Sequence, residues 1–184
     1  MEKLLDRVKN ILLTSGLYFL YLLVACILSM LVEALLVFLI NKVIVIDYHA
    51  LTIIRISIYS VFVPSILGVL TYAEGYKEAS FSAWELVLSF LPAAILHLLF
   101  SMLFKFQGFI SGSVRFTAGL IANGTSITYD SLINVTPYET FLWVFGAYSV
   151  LYCLVMALSK YYGAQNRIIS RGELRKHERD QSQT

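Results

Sequence analysis

The sequence predicts an all-α integral membrane protein: a bundle of four transmembrane helices with both termini in the cytoplasm. Three observations carry this expectation. The first is composition: 58% of the 184 residues are hydrophobic, 14% are charged, and mean hydropathy is +0.73. Soluble domains run at roughly 45–50% apolar and about 25% charged. The second is that the apolar residues fall in long runs, as a hydrocarbon core of about 30 Å demands. The third is that Lys and Arg are divided unevenly between the segments that join those runs. The formal net charge of +2 is too small to point to nucleic acid.

The first run, residues 11–41, contains a single charge, Glu33. As a helix it is about 46 Å long at 1.5 Å per residue, more than a bilayer core needs. It therefore tilts or protrudes, with a span near 14–40. It is too long for the ~7–15-residue apolar region of a cleavable signal peptide, so it reads as a retained span. The polar break KVIVIDYHA follows, then a second span over about 51–73. The third span, about 83–105, opens on Ser82-Ala83-Trp84-Glu85. A serine N-cap with glutamate three residues on forms a capping box, and Phe81 and Leu86 are placed as a hydrophobic staple. The fourth span, about 137–162, opens on Thr136-Pro137-Tyr138-Glu139. This is a second capping box, with proline at the first helical position, where its missing N–H costs nothing. Gly163 is a plausible stop.

Residues 107–122 are apolar and Gly-rich but interrupted by Arg115, too short to cross. They suit an interfacial or re-entrant segment. Residues 1–166 thus form one transmembrane domain. Residues 167–184, with five basic and three acidic side chains, form a short basic cytoplasmic tail.

With both termini inside, ten Lys and Arg fall on the cytoplasmic side against Lys42, Arg55, Lys105 and Arg115 outside. That bias sets orientation. Tyr18, Tyr21, Tyr72, Tyr76, Trp84, Tyr138, Trp143, Tyr161 and Tyr162 lie near the proposed span ends, as an interfacial belt requires. No internal repeat is visible.

Lipid tails are as apolar as leucine, so helices in a membrane meet through small and weakly polar residues. Each span offers one such face at helical spacing. These are Cys26, Ser29 and Glu33; Ser57, Ser60, Pro64 and Gly68; Ser89, Ala93, His97 and Ser101; and Gly146, Ser149, Cys153, Ala157 and Lys160. Glu33 belongs to the first face and hence to the bundle interior. Ionisable residues inside a membrane are costly and mark candidate sites. Glu33, Arg55 and His97 are therefore the candidate intramembrane polar cluster, with Arg55 the partner of Glu33 by charge and His97 by depth.

Other motifs carry less. Asp47 and His49 supply two donors, where a metal site needs three or four. Cys26 and Cys153 lack metal-ligand spacing and read as free packed thiols. Asn123-Gly124-Thr125 and Asn134-Val135-Thr136 match the glycosylation sequon in the segment expected outside. No nucleophile, zinc or phosphate-loop motif is present. The expectation is a multi-pass membrane protein that is not an enzyme and binds no cofactor or metal. It sits in the cell membrane, a bacterial plasma membrane, as an accessory or assembly subunit. Its partners are the bilayer and other membrane subunits or further copies of itself, not nucleic acid. The alternative is a small transporter or substrate-binding subunit using Glu33 and His97.

Overall fold

The computed structural model describes residues 2–44, 47–77, 82–103, 114, 117–122 and 138–182. All regular structure among them is helical. Four long helices run α1 (Glu2–Asn41), α2 (Tyr48–Lys77), α3 (Ala83–Leu103) and α4 (Tyr138–Ser182). Each of the four contains a stretch long and apolar enough to cross a membrane.

Helix ends follow from local chemistry. α1 closes through Val43 N–H to the Ile40 carbonyl (2.9 Å) and Ile44 N–H to the same oxygen (3.0 Å), satisfying a terminal acceptor. Asp47 caps α2: its Oδ1 accepts the Ala50 N–H at 2.9 Å. That is the work of the carboxylate weighed above as a metal donor. Ser82 caps α3, accepting the Glu85 N–H at 3.4 Å, but the Glu85 carboxylate turns away to Arg7. The staple residue Phe81, the Thr136 box, the two sequons and most of 107–122 lie outside the described residues.

α1, α2 and α4 run beyond the expected spans, α3 is described over Ala83–Leu103, and the expected stop of α4 fails. Gly163 does not end α4, which continues unbroken through the expected tail to Ser182. The reason is tertiary. A Cβ at Gly163 would fall on the Tyr72 carbonyl, and one at Gly75 on the Lys160 carbonyl. Both glycines are spent on close approach of two helix backbones. The contact continues along α4: Asn166 donates to Tyr72 OH at 2.9 Å, and Arg167 donates to the Lys77 carbonyl. α2 and α4 make the most extensive interface, α1 packs on both α2 and α3, and α3 touches α4 over a small area.

The main core gathers Tyr18 and Leu22 of α1, Tyr59, Val63 and Leu67 of α2, Phe90 and Ala93 of α3, and Met156 of α4. Large apolar side chains such as Leu31, Val69, Leu91 and Leu154 point outward, as a lipid-facing surface requires. Hydroxyls inside the bundle bond back to their own helices: Thr71 Oγ1 donates to the Leu67 carbonyl (2.7 Å) and Ser101 Oγ to the His97 carbonyl (2.8 Å). The α3 small face is buried as expected, at Ser89, Ala93, His97 and Ser101. The α2 and α4 faces differ in part: Ser57 and Gly146 are exposed, while the large Tyr152 and Met156 are buried.

A second, smaller core lies between α3 and the start of α4. Val114 and Ala118 are buried against Phe141, Val144 and Phe145. Thr117 and Tyr148 hydroxyls are 3.1 Å apart, and Tyr148 OH is 2.7 Å from Ser60 Oγ.

Candidate functional site

Two interior ion pairs and one polar cavity hold the chemistry of the bundle. The first pair is Arg55 Nε to Glu33 Oε1 at 2.7 Å, with side chains 22% and 13% exposed. Glu33 stands two turns before the end of α1 and Arg55 two turns after the start of α2. The turn between them brings the two to one level. Of the three residues expected to cluster, these two meet.

His97 sits elsewhere. It is 3% exposed, with its ring 5.5 Å from that of Phe145 on α4. The neighbouring Phe100 meets Phe19 of α1, ring to ring, at 5.2 Å. Glu33 lies about 21 Å further along α1 than Phe19, at 1.5 Å per residue. Since α1 and α3 run parallel, His97 and Glu33 occupy different levels.

The second pair links Lys160 of α4 to Glu74 of α2, Nζ to Oε1 at 2.6 Å, with side chains 9% and 12% exposed. Lys160 Nζ also donates to Tyr18 OH of α1 at 3.3 Å. Three helices thus meet at one ammonium. The glycine contact explains the placement: Gly75 lets the backbone of α4 come down at Lys160, and Glu74 is the adjacent residue. The second oxygen of Glu74 is buried without a hydrogen-bond partner.

Lys160 and Tyr18 form the floor of a cavity of about 160 Å³ that opens at the end of the bundle where α1 begins. One face of α1 lines it with Arg7, Asn10, Ile11 and Thr14, at helical spacing. One face of α3 completes it with Ser82, Glu85, Leu86 and Ser89. At the mouth Arg7 donates to Glu85 at 3.0 Å, both well exposed. Trp84, Tyr76, Tyr161 and Tyr162 are exposed at this same end. The cavity is a polar vestibule, closed below by the fully buried Leu22, Val63, Leu67 and Met156.

Reading the sequence alone missed this site. Lys160 counted there as a small-face and topology residue, and Glu74, in the polar stretch AEGYKE, drew no attention. The available signal was Glu74-Gly75 beside a span end, a carboxylate next to a residue that admits another backbone. Among the described residues no three His, Cys, Asp or Glu side chains gather to hold a metal ion. No family model, curated protein or solved structure matches the chain.

Proposed function

We propose that this is a non-enzymatic integral membrane protein that serves as a scaffold or assembly subunit of a membrane complex. It resides in a bacterial plasma membrane with both termini in the cytoplasm. One observation carries the reading: α4 continues about 16 Å beyond Arg171 as a single helix, and its root is clamped to α2. The clamp is Gly163 against Tyr72, Asn166 on Tyr72, Arg167 on the Lys77 carbonyl, and Ser170 beside Tyr76. A helix held at a fixed angle presents a surface in a fixed place, which is what a partner subunit needs.

The ion pairs support the same reading. Glu33 with Arg55 and Glu74 with Lys160 each join opposite charges on neighbouring helices, so both pairs act as ties within the bundle. The orientation rests on the positive-inside rule. Arg55 and Lys160 are drawn into ion pairs and no longer count as loop charges, which leaves nine basic residues against three.

The test is the size of the particle in its own membrane. Wild-type chain, gently solubilised from the native host, should migrate well above the position of the purified 20.8 kDa chain in the same detergent. A chain ending at Arg171 should fold and insert but fall to that position. Migration of the wild type as the bare chain would refute the reading. The vestibule favours the second reading, a small solute-binding or transport subunit, and that reading gains if the truncation changes nothing.

A further inference from the structure

The vestibule is not explained by a scaffold role. A bundle stabilised only by packing has no use for a polar cavity of about 160 Å³, an order of magnitude above the ~10–15 Å³ that admits one water. Its charges come in opposite signs at two levels. The mouth has Arg7 beside Glu85, and the floor has Lys160 with Glu74 behind it. Between them the wall sets the hydroxyl and amide groups of Asn10, Thr14, Ser82 and Ser89, the last 3% exposed, beside the apolar Ile11 and Leu86.

This lining discriminates between ligand classes. A bare anion attracted by Arg7 and Lys160 is repelled by Glu85 and Glu74. A bare cation meets the reverse. An apolar ligand would strip water from the wall without replacing its hydrogen bonds. Only a molecule carrying both signs a few ångströms apart finds an opposite charge at both levels. We infer that the vestibule is a binding site for a small zwitterion, which sets its ammonium against the Glu85 carboxylate and its anionic oxygens against the Arg7 guanidinium and the Lys160 ammonium. This does not rest on the scaffold reading. The same chemistry comes from two sources, a phosphatidylethanolamine headgroup or a free zwitterionic solute.

The full chain, purified in a detergent without phosphatidylethanolamine, is titrated calorimetrically with glycerophosphoethanolamine. Glycerol 3-phosphate and ethanolamine, its anionic and cationic halves, are titrated in parallel. Melting temperature is also compared in nanodiscs of phosphatidylethanolamine and of phosphatidylglycerol. The zwitterion should bind at least about tenfold more tightly than either half, the factor expected for one charge-assisted hydrogen bond. Glu85→Gln should erase that advantage. Ser89→Leu fills the wall and should abolish binding while keeping the wild-type melting temperature. If that variant does not fold, Thr14→Leu fills the opposite wall to the same end. Binding of the free zwitterion assigns a solute. Stabilisation by phosphatidylethanolamine alone, lost in the wall variant, assigns a lipid headgroup. The inference is overturned if glycerol 3-phosphate binds as tightly as the zwitterion, if neither source has any effect, or if the wall variant binds normally.

Discussion

Replacing Glu33 by leucine tests whether its pair with Arg55 holds α1 to α2. The substitution removes one side of a 2.7 Å charge-assisted bond and leaves a guanidinium that is only 22% exposed. In soluble proteins, breaking a buried pair from one side costs about 3–5 kcal/mol. In membrane proteins polar contacts measured by double-mutant cycles average about 0.6 kcal/mol, because the unfolded chain in lipid also finds partners. The Glu33–Arg55 bond is charge-assisted, which roughly doubles its strength, but Arg55 keeps some access to water. A loss of about 2 kcal/mol follows, between those bounds. At about 2–4 °C per kcal/mol for a chain of this size, Glu33→Leu should lower the melting temperature in detergent by about 4–8 °C. The double variant Glu33→Leu/Arg55→Leu leaves no orphaned charge and should recover more than half of that loss. Glu33→Leu/His97→Leu should show only the sum of its single effects, since the two residues lie at different levels of the bundle. Additive losses for Glu33 with Arg55, or rescue by His97→Leu instead, would refute the pairing.

Three further outcomes follow from the same geometry. Gly75→Ala and Gly163→Ala should each destabilise the protein by at least the ~1–3 kcal/mol typical of overpacking, because a Cβ would meet backbone rather than a movable side chain. Gly16→Ala and Gly146→Ala, with nothing within 4 Å of the new methyl group, should be neutral or mildly stabilising in the same thermal melts. Tyr148→Phe strips the hydroxyl shared by Ser60 and Thr117 and should cost about 1–3 kcal/mol by urea titration in mixed micelles; an unchanged midpoint counts against the contact of Thr117 with α4. With Cys26 and Cys153 replaced by alanine, an impermeant maleimide on intact cells should label a cysteine at Lys42 and spare one at Arg171. Labelling of both, or of Arg171 alone, contradicts the orientation.

Much of the helical layout is legible because it rests on length and hydropathy, which need no tertiary information. Ser82 reads correctly as the α3 cap because capping is local: one hydroxyl and one amide three residues apart. What fails is what depends on a distant partner. Gly163 looks identical in sequence whether it ends a helix or admits another backbone, and only the Tyr72 carbonyl distinguishes the two. Lys160 looks like a charge at a span end; it becomes interior because Glu74 and Tyr18 converge on it from two other helices. For Glu33 the charge argument named Arg55 and the depth argument named His97. Depth counted along separate helices carries an error of several residues, whereas the short turn from α1 to α2 constrains Arg55 directly.

The two interior pairs also rank the charged contacts between the helices. α2 is tied to α1 at one end by Glu33–Arg55 and to α4 at the other by Glu74–Lys160, both largely buried. α3 rests on apolar packing against α1, on the His97–Phe145 ring contact with α4 and on Arg7–Glu85, whose side chains are 66% and 50% exposed. An exposed pair of that kind is worth about 0–1 kcal/mol. The vestibule lies between α1 and α3, with Lys160 of α4 at its floor. Its floor is therefore held by the buried Glu74–Lys160 pair, while the charged contact across its mouth is the exposed and weaker Arg7–Glu85 pair.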